Sequence, residues 1–423
     1  MKTSIIPLSL DSMAADRSHW LDRLGRRLVH RQLSLIEQGE IVVREGDNET
    51  YFGQCCEAFP VPLRVEIKHA RAWSDLAFGG SVGAGEAYLK GDWICGNPTE
   101  LVRLFLRNRH VLAAMDRRVT RLQAPLNRLL HRLSRNTRKG SRRNISAHYD
   151  LGNDLFALFL DRTMMYSAAY YARPDMTLDQ AAVEKTDLVC RKLELNRDDH
   201  LLEIGTGWGG FAIHAAKHYG CRVTTTTISR QQYDLARKRI DEAGLGDRVT
   251  LLFQDYRDLE GQYDKLVSIE MVEAIGHQYL DTFFAKCSAL LKPHGMMLLQ
   301  AITVTDQRYE QAVRHVDFIK KYIFPGGFLP SVSVMCASVA RVADMKPFHM
   351  EDIGPHYART LADWRRRFLA NSDKVRDLGY PDAFVRMWEY YLSYCEGGFL
   401  ERDIGTVQLL LTKPGCRREP VSV

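Results

Sequence analysis

His200-Leu-Leu-Glu-Ile-Gly-Thr-Gly-Trp-Gly-Gly210 is the most informative segment for the fold of this chain. Its first five residues form a short apolar run, and the segment Gly209–Tyr219 has the spacing of a helix. Glycines between a strand and a helix let the backbone bend sharply and approach a ligand, and the helix N-terminus presents free N–H groups. The stretch predicts a ligand-binding turn, although a tight turn in any α/β fold would look the same.

Strand-like and helical segments alternate after this turn. The predicted strands are Cys221–Ile228, Val249–Phe253, Asp264–Ile269 and Met296–Ile302, and the predicted helices are Arg230–Ala243 and Tyr279–Leu291. Strands that alternate with helices of this length are typical of a parallel, doubly wound sheet. We therefore predict an α/β fold for this part of the chain.

The end of the second strand narrows the choice of ligand. A hydride-transfer enzyme would carry an acidic residue about 20 residues after the turn, where it holds ribose hydroxyls. Here the segment 224–232 reads Thr-Thr-Thr-Thr-Ile-Ser-Arg-Gln-Gln, without an acid. A ribose would have to be held by hydroxyl or amide groups such as those of Thr227 and Gln232.

The first 135 residues differ in pattern from the rest. They predict a small mixed α+β domain with a helix around Trp20–Gln38, strands at Ile41–Arg44 and Leu63–Ile67, and glycine-rich turns at 79–85. Apolar residues recur at threes and fours over 101–133, which predicts amphipathic helices divided by Pro125. Residues 136–145 are predicted to form a linker, and 146–423 the second domain.

The basic residues are concentrated in this amphipathic region. Between Arg103 and Arg143 there are thirteen Arg or Lys residues and one acid, Asp116. Such a face suits anionic lipid headgroups. A solvated face packed on the protein and a nucleic-acid surface are the alternatives, but the aromatic residues that stack on bases are missing, so no nucleic-acid partner is expected.

The cysteines and the apolar segments indicate where in the cell the protein is expected. The nine cysteines contain no C-x-x-C pair and no clustering with histidine, so neither a metal site nor a disulfide framework is predicted. An odd number of cysteines fits reduced thiols in a cytoplasmic protein. No signal peptide and no run of about 18 apolar residues are recognised, so any membrane contact is expected to be peripheral, at the inner face.

Several long motifs resemble those of the cyclopropane fatty acid synthase family, which includes the mycolic acid methyltransferases. The motifs that carry the resemblance are Gly85-Glu-Ala-Tyr-Leu-Lys-Gly-Asp-Trp93, His148-Tyr-Asp-Leu-Gly-Asn-Asp-Leu-Phe156, Met165-Tyr-Ser167, Gly205-x-Gly-Trp-Gly-Gly210, Thr227-Ile-Ser-x-x-Gln232, Gln254-Asp-Tyr-Arg-Asp-Leu259 and Lys321-Tyr-Ile-Phe-Pro-Gly326. The resemblance runs from about residue 75 to 415.

The resemblance implies a class I S-adenosylmethionine-dependent methyltransferase, a Rossmann-like doubly wound sheet with a smaller N-terminal domain. It implies a cofactor pocket lined by Tyr166, Ser167, Leu201, Leu202, Glu203, Ile204, Gly205, Thr206, Gly207, Trp208, Gly209, Thr227, Ile228, Ser229, Gln232, Asp255 and Tyr256. Without the resemblance, Tyr256 would be interpreted as a core aromatic residue and Asp255 as a turn cap.

The resemblance also implies a reacting centre. Transfer of a methyl group to a cis double bond generates a carbocation, and a base must then remove a proton from the added carbon for a ring to close. In the family a bound bicarbonate serves as that base, held by a Glu, a Tyr, a His and main-chain groups. By position, Glu273, Tyr357 and the main chain of Ile302 match this set.

Two positions differ from the family, and the role of a third, a cysteine, is open to two interpretations. Ala168 stands where the family has Cys, and Gln300 stands where it has His; an amide can donate a hydrogen bond but cannot move a proton. Cys395 aligns with a Cys regarded as an active-site residue, although a buried structural thiol is the other interpretation.

These observations lead to three hypotheses. The first is an enzyme that methylates unsaturated acyl chains of membrane phospholipids and closes a cyclopropane ring. The second, motivated by Gln300, is an acyl-chain methyltransferase that yields methyl-branched or otherwise methylated chains. The third is a lipid-binding protein without turnover. The sequence does not fix the headgroup, the double-bond position or the oligomeric state, for which a homodimer remains open.

Overall fold

The structure, a computed structural model, describes residues 19–111 and 151–421. The chain divides into two compact units. Among the described residues, the first comprises 19–111, 317–319 and 372–401, and the second comprises 151–316, 320–371 and 402–421. The predicted boundary at residue 135 and the predicted linker 136–145 lie outside the described residues, as does the predicted helical region beyond residue 111.

Eleven strands are present in the described part of the chain. They are β1 Gly39–Glu45, β2 Asn48–Gln54, β3 Leu63–Ile67, β4 Trp93–Cys95, β5 His200–Ile204, β6 Arg222–Thr227, β7 Val249–Phe253, β8 Tyr263–Ile269, β9 Leu291–Val304, β10 Lys346–Asp352 and β11 Ile404–Thr412. Strands β1 to β4 form one sheet in the order β2-β1-β3-β4, and the other seven form a second sheet.

The described helices are more numerous than the strands. They are α1 His19–Leu33, α2 Arg71–Lys90, α3 Pro98–Arg107, α4 Asn153–Ala157, α5 Leu178–Lys192, α6 Gly210–His214, α7 Arg230–Glu242, α8 Leu280–Leu290, α9 Asp306–Arg314, α10 Phe318–Tyr322, α11 Val332–Val342, α12 Gly354–Ala370, α13 Ser372–Asp377 and α14 Asp382–Leu400. A π-helical turn, Ala215–Tyr219, continues α6.

The seven-stranded sheet has the order β10-β11-β9-β8-β5-β6-β7. Strands β5 to β9 are mutually parallel along this order, whereas β11 runs antiparallel to β9 and β10 antiparallel to β11. The order reverses beside β5, and in open α/β sheets ligands bind at the carboxyl ends of the strands at such a switch point. The predicted α/β doubly wound sheet is confirmed, and its first strand is the one that ends in the glycine-rich turn.

Two apolar cores support this sheet. One includes Phe283, Phe284 and Leu299, and the other includes Phe211, Val223 and Leu298. Leu298 and Leu299 are successive residues of β9, and successive side chains of a strand point to opposite faces. Each fully buried large apolar side chain contributes about 1.5–3 kcal/mol by removal from water. The sheet is therefore covered on both faces, and the polar groups of the site lie at the carboxyl ends of its strands.

The glycine-rich turn predicted at 79–85 is wrong. These residues lie inside α2, where only Gly80 departs from helical geometry, with φ of 57° and ψ of −148°. A Cβ on Gly83 would lie 2.3 Å from the carbonyl oxygen of Asp75, and one on Gly85 would lie 2.4 Å from the ring of Phe318. The glycines here permit close packing around a helix that bends at Gly80, which local sequence does not distinguish from a turn.

Among residues 19–111 and 151–421, no helix combines the length and apolar character needed to cross a bilayer. Two members of the predicted basic face are ion-paired within the first unit. The carboxylate of Glu401 accepts from Nε of Arg103 at 2.8 Å and from Nε of Arg107 at 2.6 Å. For these two arginines the packed-face interpretation holds, and the basic residues from 117 onward lie outside the described residues.

Candidate active site

The glycine-rich turn has the backbone geometry that its sequence predicts. Gly205, Gly207 and Gly209 have φ of 105°, 53° and 85°, in the region that side chains disfavour. A Cβ on Gly207 would meet no atom within 4 Å, so this part of the turn faces open space. Trp208 fixes the turn, because its Nε1 donates to Oδ1 of Asn153 at 2.7 Å.

Strand β5 contributes one polar side chain to the turn. Leu201, Leu202 and Ile204 are buried in the sheet, so only their backbone is available to a ligand. Glu203 is buried too, and its Oε2 accepts from the hydroxyl of Thr225 at 2.6 Å, which lies 2.6 Å from the hydroxyl of Thr206. Burial raises the pKa of Glu203 to about 8, opposed by the Thr225 hydrogen bond and by Lys185.

At the end of β6, hydroxyl and amide groups replace the missing acid. The hydroxyl of Thr227 donates to Oε1 of Gln232 at 3.0 Å and accepts from the N–H of Ser229 at 3.2 Å. Ser229 caps α7, since its hydroxyl accepts from the N–H of Gln232 at 3.3 Å. These three side chains are buried and Ile228 is half-buried, and the bond to Thr227 leaves Nε2 of Gln232 as a donor.

The segment after β7 brings Asp255 and Tyr256 to the same edge. The carboxylate of Asp255 accepts from the N–H of Arg257 at 3.0 Å and pairs with its guanidinium at 2.7 Å. Tyr256 packs edge-on against Phe283 at 5.6 Å, and its buried hydroxyl has no hydrogen-bond partner among the described residues. The turn-cap and core interpretations therefore describe local contacts, while the unpartnered hydroxyl is a polar group that a ligand could satisfy.

Tyr166 and Ser167 lie in the segment between α4 and α5. The ring of Tyr166 is in an aromatic cluster, 5.3 Å from Phe156 and 5.2 Å from Trp364. Ser167 accepts from Nζ of Lys185 at 2.9 Å, and Lys185 is completely buried on α5. Burial lowers the pKa of Lys185 to about 8, against the attraction of the carboxylates of Glu270, Asp161 and Glu203.

Ala168, Gln300 and Tyr357 converge on one carboxylate, that of Glu270. Its Oε1 accepts from the N–H of Ala168 at 2.9 Å and from Nε2 of Gln300 at 2.8 Å. Its Oε2 accepts from the hydroxyl of Tyr357 at 2.7 Å. Burial raises the pKa of Glu270, while the three donors and Lys185 lower it. Ala168, Gln300 and Tyr357 were all predicted site residues from separate segments. They therefore meet at Glu270, which was not predicted.

The backbone of Glu270 is also unusual. It has φ of 50°, a left-handed conformation that costs a residue with a side chain about 1–2 kcal/mol. Its N–H donates to the carbonyl oxygen of Gln300 at 2.8 Å, directly after β8 ends. Strain of this kind persists only where the surrounding structure fixes it, and it occurs frequently at active sites.

Glu273 is the second carboxyl group of this centre. Its Oε1 accepts from the N–H of Ile302 at 2.5 Å, and its buried Oε2 has no hydrogen-bond partner among the described residues. Burial and the neighbouring Glu270 raise the pKa of Glu273 to about 8. Because Glu270 accepts three hydrogen bonds and Glu273 accepts one, the pair holds its negative charge on Glu270 and its proton on Glu273.

Cys395 is not among these groups. It lies on α14 in the first compact unit, and burial raises the pKa of its thiol above the ordinary value. A thiol with a raised pKa is a poor nucleophile, so the structural interpretation of this cysteine is the better one.

Sequence reasoning missed Glu270 and Lys185. The motif Ile269-Glu-Met-Val-Glu273 contains two acids, and alignment by position used only the second. A signal for Lys185 was present, because it lies among the apolar residues Ala181, Ala182 and Val189 on one stretch of helix. A lysine at helical spacing from apolar residues predicts a buried amine, which requires partners.

The family model described as mycolic acid cyclopropane synthetase matches residues 136–409, well over half of the chain. The chain belongs to this family. It is an S-adenosylmethionine-dependent methyltransferase, as the resemblance predicted.

Curated relatives place this family member among lipid-modifying enzymes. It is 38% identical to the tuberculostearic acid methyltransferase of Mycobacterium tuberculosis over 79% of this chain and 80% of that protein. It is 36% identical to the cyclopropane-fatty-acyl-phospholipid synthase of Escherichia coli over 83% of this chain and 88% of that protein. Methylation of lipid acyl chains is therefore the activity that this chain shares with its relatives.

Solved structures agree with this assignment. A mycolic acid cyclopropane synthase complexed with SAH and CTAB matches with a TM-score of 0.61 at 32% identity, covering 64% of this chain and 98% of that one. A cyclopropane synthase from Mycobacterium tuberculosis matches with a TM-score of 0.60 at 31% identity, covering 64% of this chain and 98% of that one. The class I methyltransferase fold is confirmed.

The residues of this methyltransferase fit S-adenosylmethionine. The glycine turn offers open space at Gly207, Gln232 offers amide donors, and Tyr256 offers an unpartnered hydroxyl. The end of β6 carries no acid, so the hydroxyl of Thr227 and the amide of Gln232 would hold the ribose. These groups, with Asp255, would hold the cofactor, which supplies an electrophilic methyl group when bound.

Bicarbonate does not fit this methyltransferase as the resemblance implied. The donors expected to hold it are the N–H of Ala168, the side chain at position 300 and the hydroxyl of Tyr357, and all three already donate to Glu270. A bicarbonate bound to these donors would lie directly beside the buried carboxylate of Glu270. Two negative charges so close together in a buried site repel each other strongly. The expectation of bicarbonate as the bound base is therefore set aside.

Proposed function

We propose that the enzyme transfers a methyl group to the cis double bond of unsaturated phospholipid acyl chains and closes a cyclopropane ring. The single observation that carries this proposal is the buried carboxylate of Glu270, held by Ala168, Gln300 and Tyr357. An alkene carries no acidic proton before methyl transfer, so a buried base is useful only after transfer, when the added carbon must lose a proton. The curated synthase at 36% identity is named for this product.

The chain's own residues supply the remaining requirements. The aromatic cluster around Tyr166 and Trp364 offers π-faces that favour a developing positive charge. The apolar burial of the centre excludes water, which would otherwise trap the cation as an alcohol. Lys185 hydrogen-bonds Ser167 and balances the charge of the carboxylate centre.

The experiment is product analysis with the purified enzyme. Vesicles of phosphatidylethanolamine and phosphatidylglycerol with one cis double bond per chain are incubated with S-adenosylmethionine, and the fatty acid methyl esters are separated by gas chromatography–mass spectrometry. A cyclopropane ester is the expected product. Methylation of free fatty acids alone, or of no lipid, would contradict the proposal.

A second candidate product is a methyl-branched or otherwise methylated unsaturated chain. Gln300 favours it, since an amide cannot move a proton and its Oε1 is itself fixed by Nε2 of Gln408 at 3.0 Å. The relative at 38% identity is a tuberculostearic acid methyltransferase by name. If this candidate is correct, Gln300→His should shift the product toward rings, whereas the same substitution at the exposed Gln262 should not.

Peripheral docking on the inner face of a membrane is proposed together with this substrate. The basic residues between 117 and 143 support it, because each basic group near an anionic surface contributes about 1 kcal/mol. Co-sedimentation with vesicles should increase with the fraction of phosphatidylglycerol and fall with salt. Binding that is independent of lipid charge would argue against this mode of docking.

A further inference from the structure

Glu270 combines a disfavoured backbone with a fully engaged carboxylate. Its φ of 50° is a conformation in which glycine would be unstrained, yet the chain has a glutamate there. The strain is retained together with three hydrogen bonds from Ala168, Gln300 and Tyr357. A residue whose only role was to end β8 would not need a charged side chain at this point.

The three donors around Glu270 form an anion site. They come from three segments of the second unit: the loop before α5, strand β9 and helix α12. A carboxylate and a bicarbonate share the same planar O–C–O group, so donors arranged for one also suit the other. In this chain the anion is attached to the backbone, which places it without any loss of binding entropy.

The Gln300 departure is explained by the same carboxylate. Gln300 is completely buried, its Oε1 accepts from Gln408 at 3.0 Å, and Oε1 of Gln408 accepts from Nζ of Lys192 at 2.7 Å. This chain of bonds turns Nε2 of Gln300 toward Glu270. Gln300 therefore acts as a fixed donor, and it has no proton to move if the carboxylate is itself the base.

We propose that Glu270 is a catalytic residue, a built-in carboxylate base that replaces a dissociable bicarbonate and makes the enzyme independent of it. This inference rests on the proposed function. After methyl transfer, a C–H bond of the added carbon breaks, its electron pair forms the third C–C bond of the ring at the cationic carbon, and the proton passes to Glu270. The proton leaves to water when the product departs.

The charged and titratable groups that face this base are known from the structure. Lys185, across from it, favours the ionised form, and Tyr357 donates to it. Glu273 lies beside it, and burial together with the charge of Glu270 raises the pKa of Glu273 to about 8, which favours its neutral form. The arrangement keeps one negative charge in the centre, and a bound bicarbonate would add a second.

The test is the substitution Glu270→Gly. It removes the carboxylate base and relieves the backbone strain at this positive φ. It also frees the three hydrogen-bond donors to bind another anion. In buffers freed of carbon dioxide, the unaltered enzyme should keep its rate on the phospholipid vesicles described above, whereas the variant should lose about 100-fold or more. Added bicarbonate should restore the variant at least tenfold and leave the unaltered enzyme unchanged. Glu270→Gln fills the site without supplying a base and should be neither active nor restored.

Glu194→Gly is the matched control. Glu194 has φ of 51° and follows α5, where its carboxylate pairs with Arg418 at 3.1 Å. The same substitution at the same backbone conformation should leave the rate and its indifference to bicarbonate unchanged. A comparable loss in this control would trace the effect to backbone change rather than to the base.

A binding measurement separates this inference from the proposed function. Carbon-13 bicarbonate should bind Glu270→Gly and not the unaltered enzyme, as measured by NMR line broadening, whatever lipid is the substrate. If the unaltered enzyme needs bicarbonate or binds it, or if Glu270→Gly is fully active without it, the inference is overturned. If no phospholipid is methylated while the binding result holds, the proposed substrate fails and the anion-site replacement stands.

Discussion

The two ends of this active site differ in how they are built. The cofactor edge, which we propose holds S-adenosylmethionine at the ends of β5, β6 and β7, consists of a glycine turn and short local contacts between residues close in sequence, such as Thr227 with Gln232. The carboxylate centre, formed after β8 and along β9, joins Ala168, Glu270, Gln300 and Tyr357 across long sequence separations. The first end follows from local sequence, whereas the second depends on how distant segments fold together.

This difference indicates which part of the site determines the product. Methyltransferases with different products can share a cofactor edge, because the edge only presents a methyl group. The fate of the cation after transfer depends on which base stands beside it and on how that base is held. Substitutions at the two ends should therefore separate into losses of cofactor binding and losses of chemistry.

Gly207→Val should give the largest effect, on cofactor binding. A side chain there enters the space at the turn, and a loss of about 3 kcal/mol corresponds to about 100-fold in the dissociation constant of S-adenosylmethionine, measured by calorimetry. Gly244→Val is the control, because Gly244 also has positive φ, 66°, and open space. Equal binding by the two variants would refute the assignment of the turn.

Tyr357→Phe should lower kcat by about 10- to 100-fold and leave cofactor binding unchanged. It removes one hydrogen bond to a buried charged group, worth about 1.5–3 kcal/mol. The control is Tyr171→Phe, which removes a 2.9 Å bond to the carboxylate of Asp363. A weakened cofactor affinity with unchanged kcat would place Tyr357 at the other end of the site.

Lys185→Met should move the pH dependence of kcat. The ammonium group favours ionised Glu270, so its removal raises the pKa of that carboxyl, and the acid limb of the profile should shift upward by about one pH unit. Lys413→Met, at another buried lysine that pairs with Asp344, is the control. A shift toward lower pH would contradict the charge balance described here.

Glu273→Gln should change how the free energy of unfolding depends on pH. The folded protein holds a proton on Glu273 up to about pH 8, whereas a free carboxyl loses it near its ordinary value, so the free energy of unfolding falls as pH rises between those values. In the variant the free energy of unfolding should fall less steeply over this pH range. Each unit of pKa difference corresponds to about 1.4 kcal/mol. Chemical denaturation from pH 5 to 9 measures it, with exposed Glu57→Gln as control.

Sequence predicted the strands and the helix that form the cofactor edge and only part of the carboxylate centre. Periodicity and turn chemistry placed β5, β6 and α7 within a residue or two, because these are local properties. Motif positions indicated Ala168, Gln300 and Tyr357 but not the residue they hold. Glu270 was missed because its role follows from a left-handed backbone and from partners far along the chain.

Isotope retention in the product tests directly whether the carboxylate centre removes a proton from the added carbon. The enzyme is supplied with S-adenosylmethionine whose methyl group carries three deuterium atoms, and the methylated acyl chain is analysed by mass spectrometry. A base that takes a proton from the added carbon leaves two deuterium atoms there, which is the result expected here. Retention of all three would show that this carbon is never deprotonated, and would contradict the role assigned to the carboxylate centre.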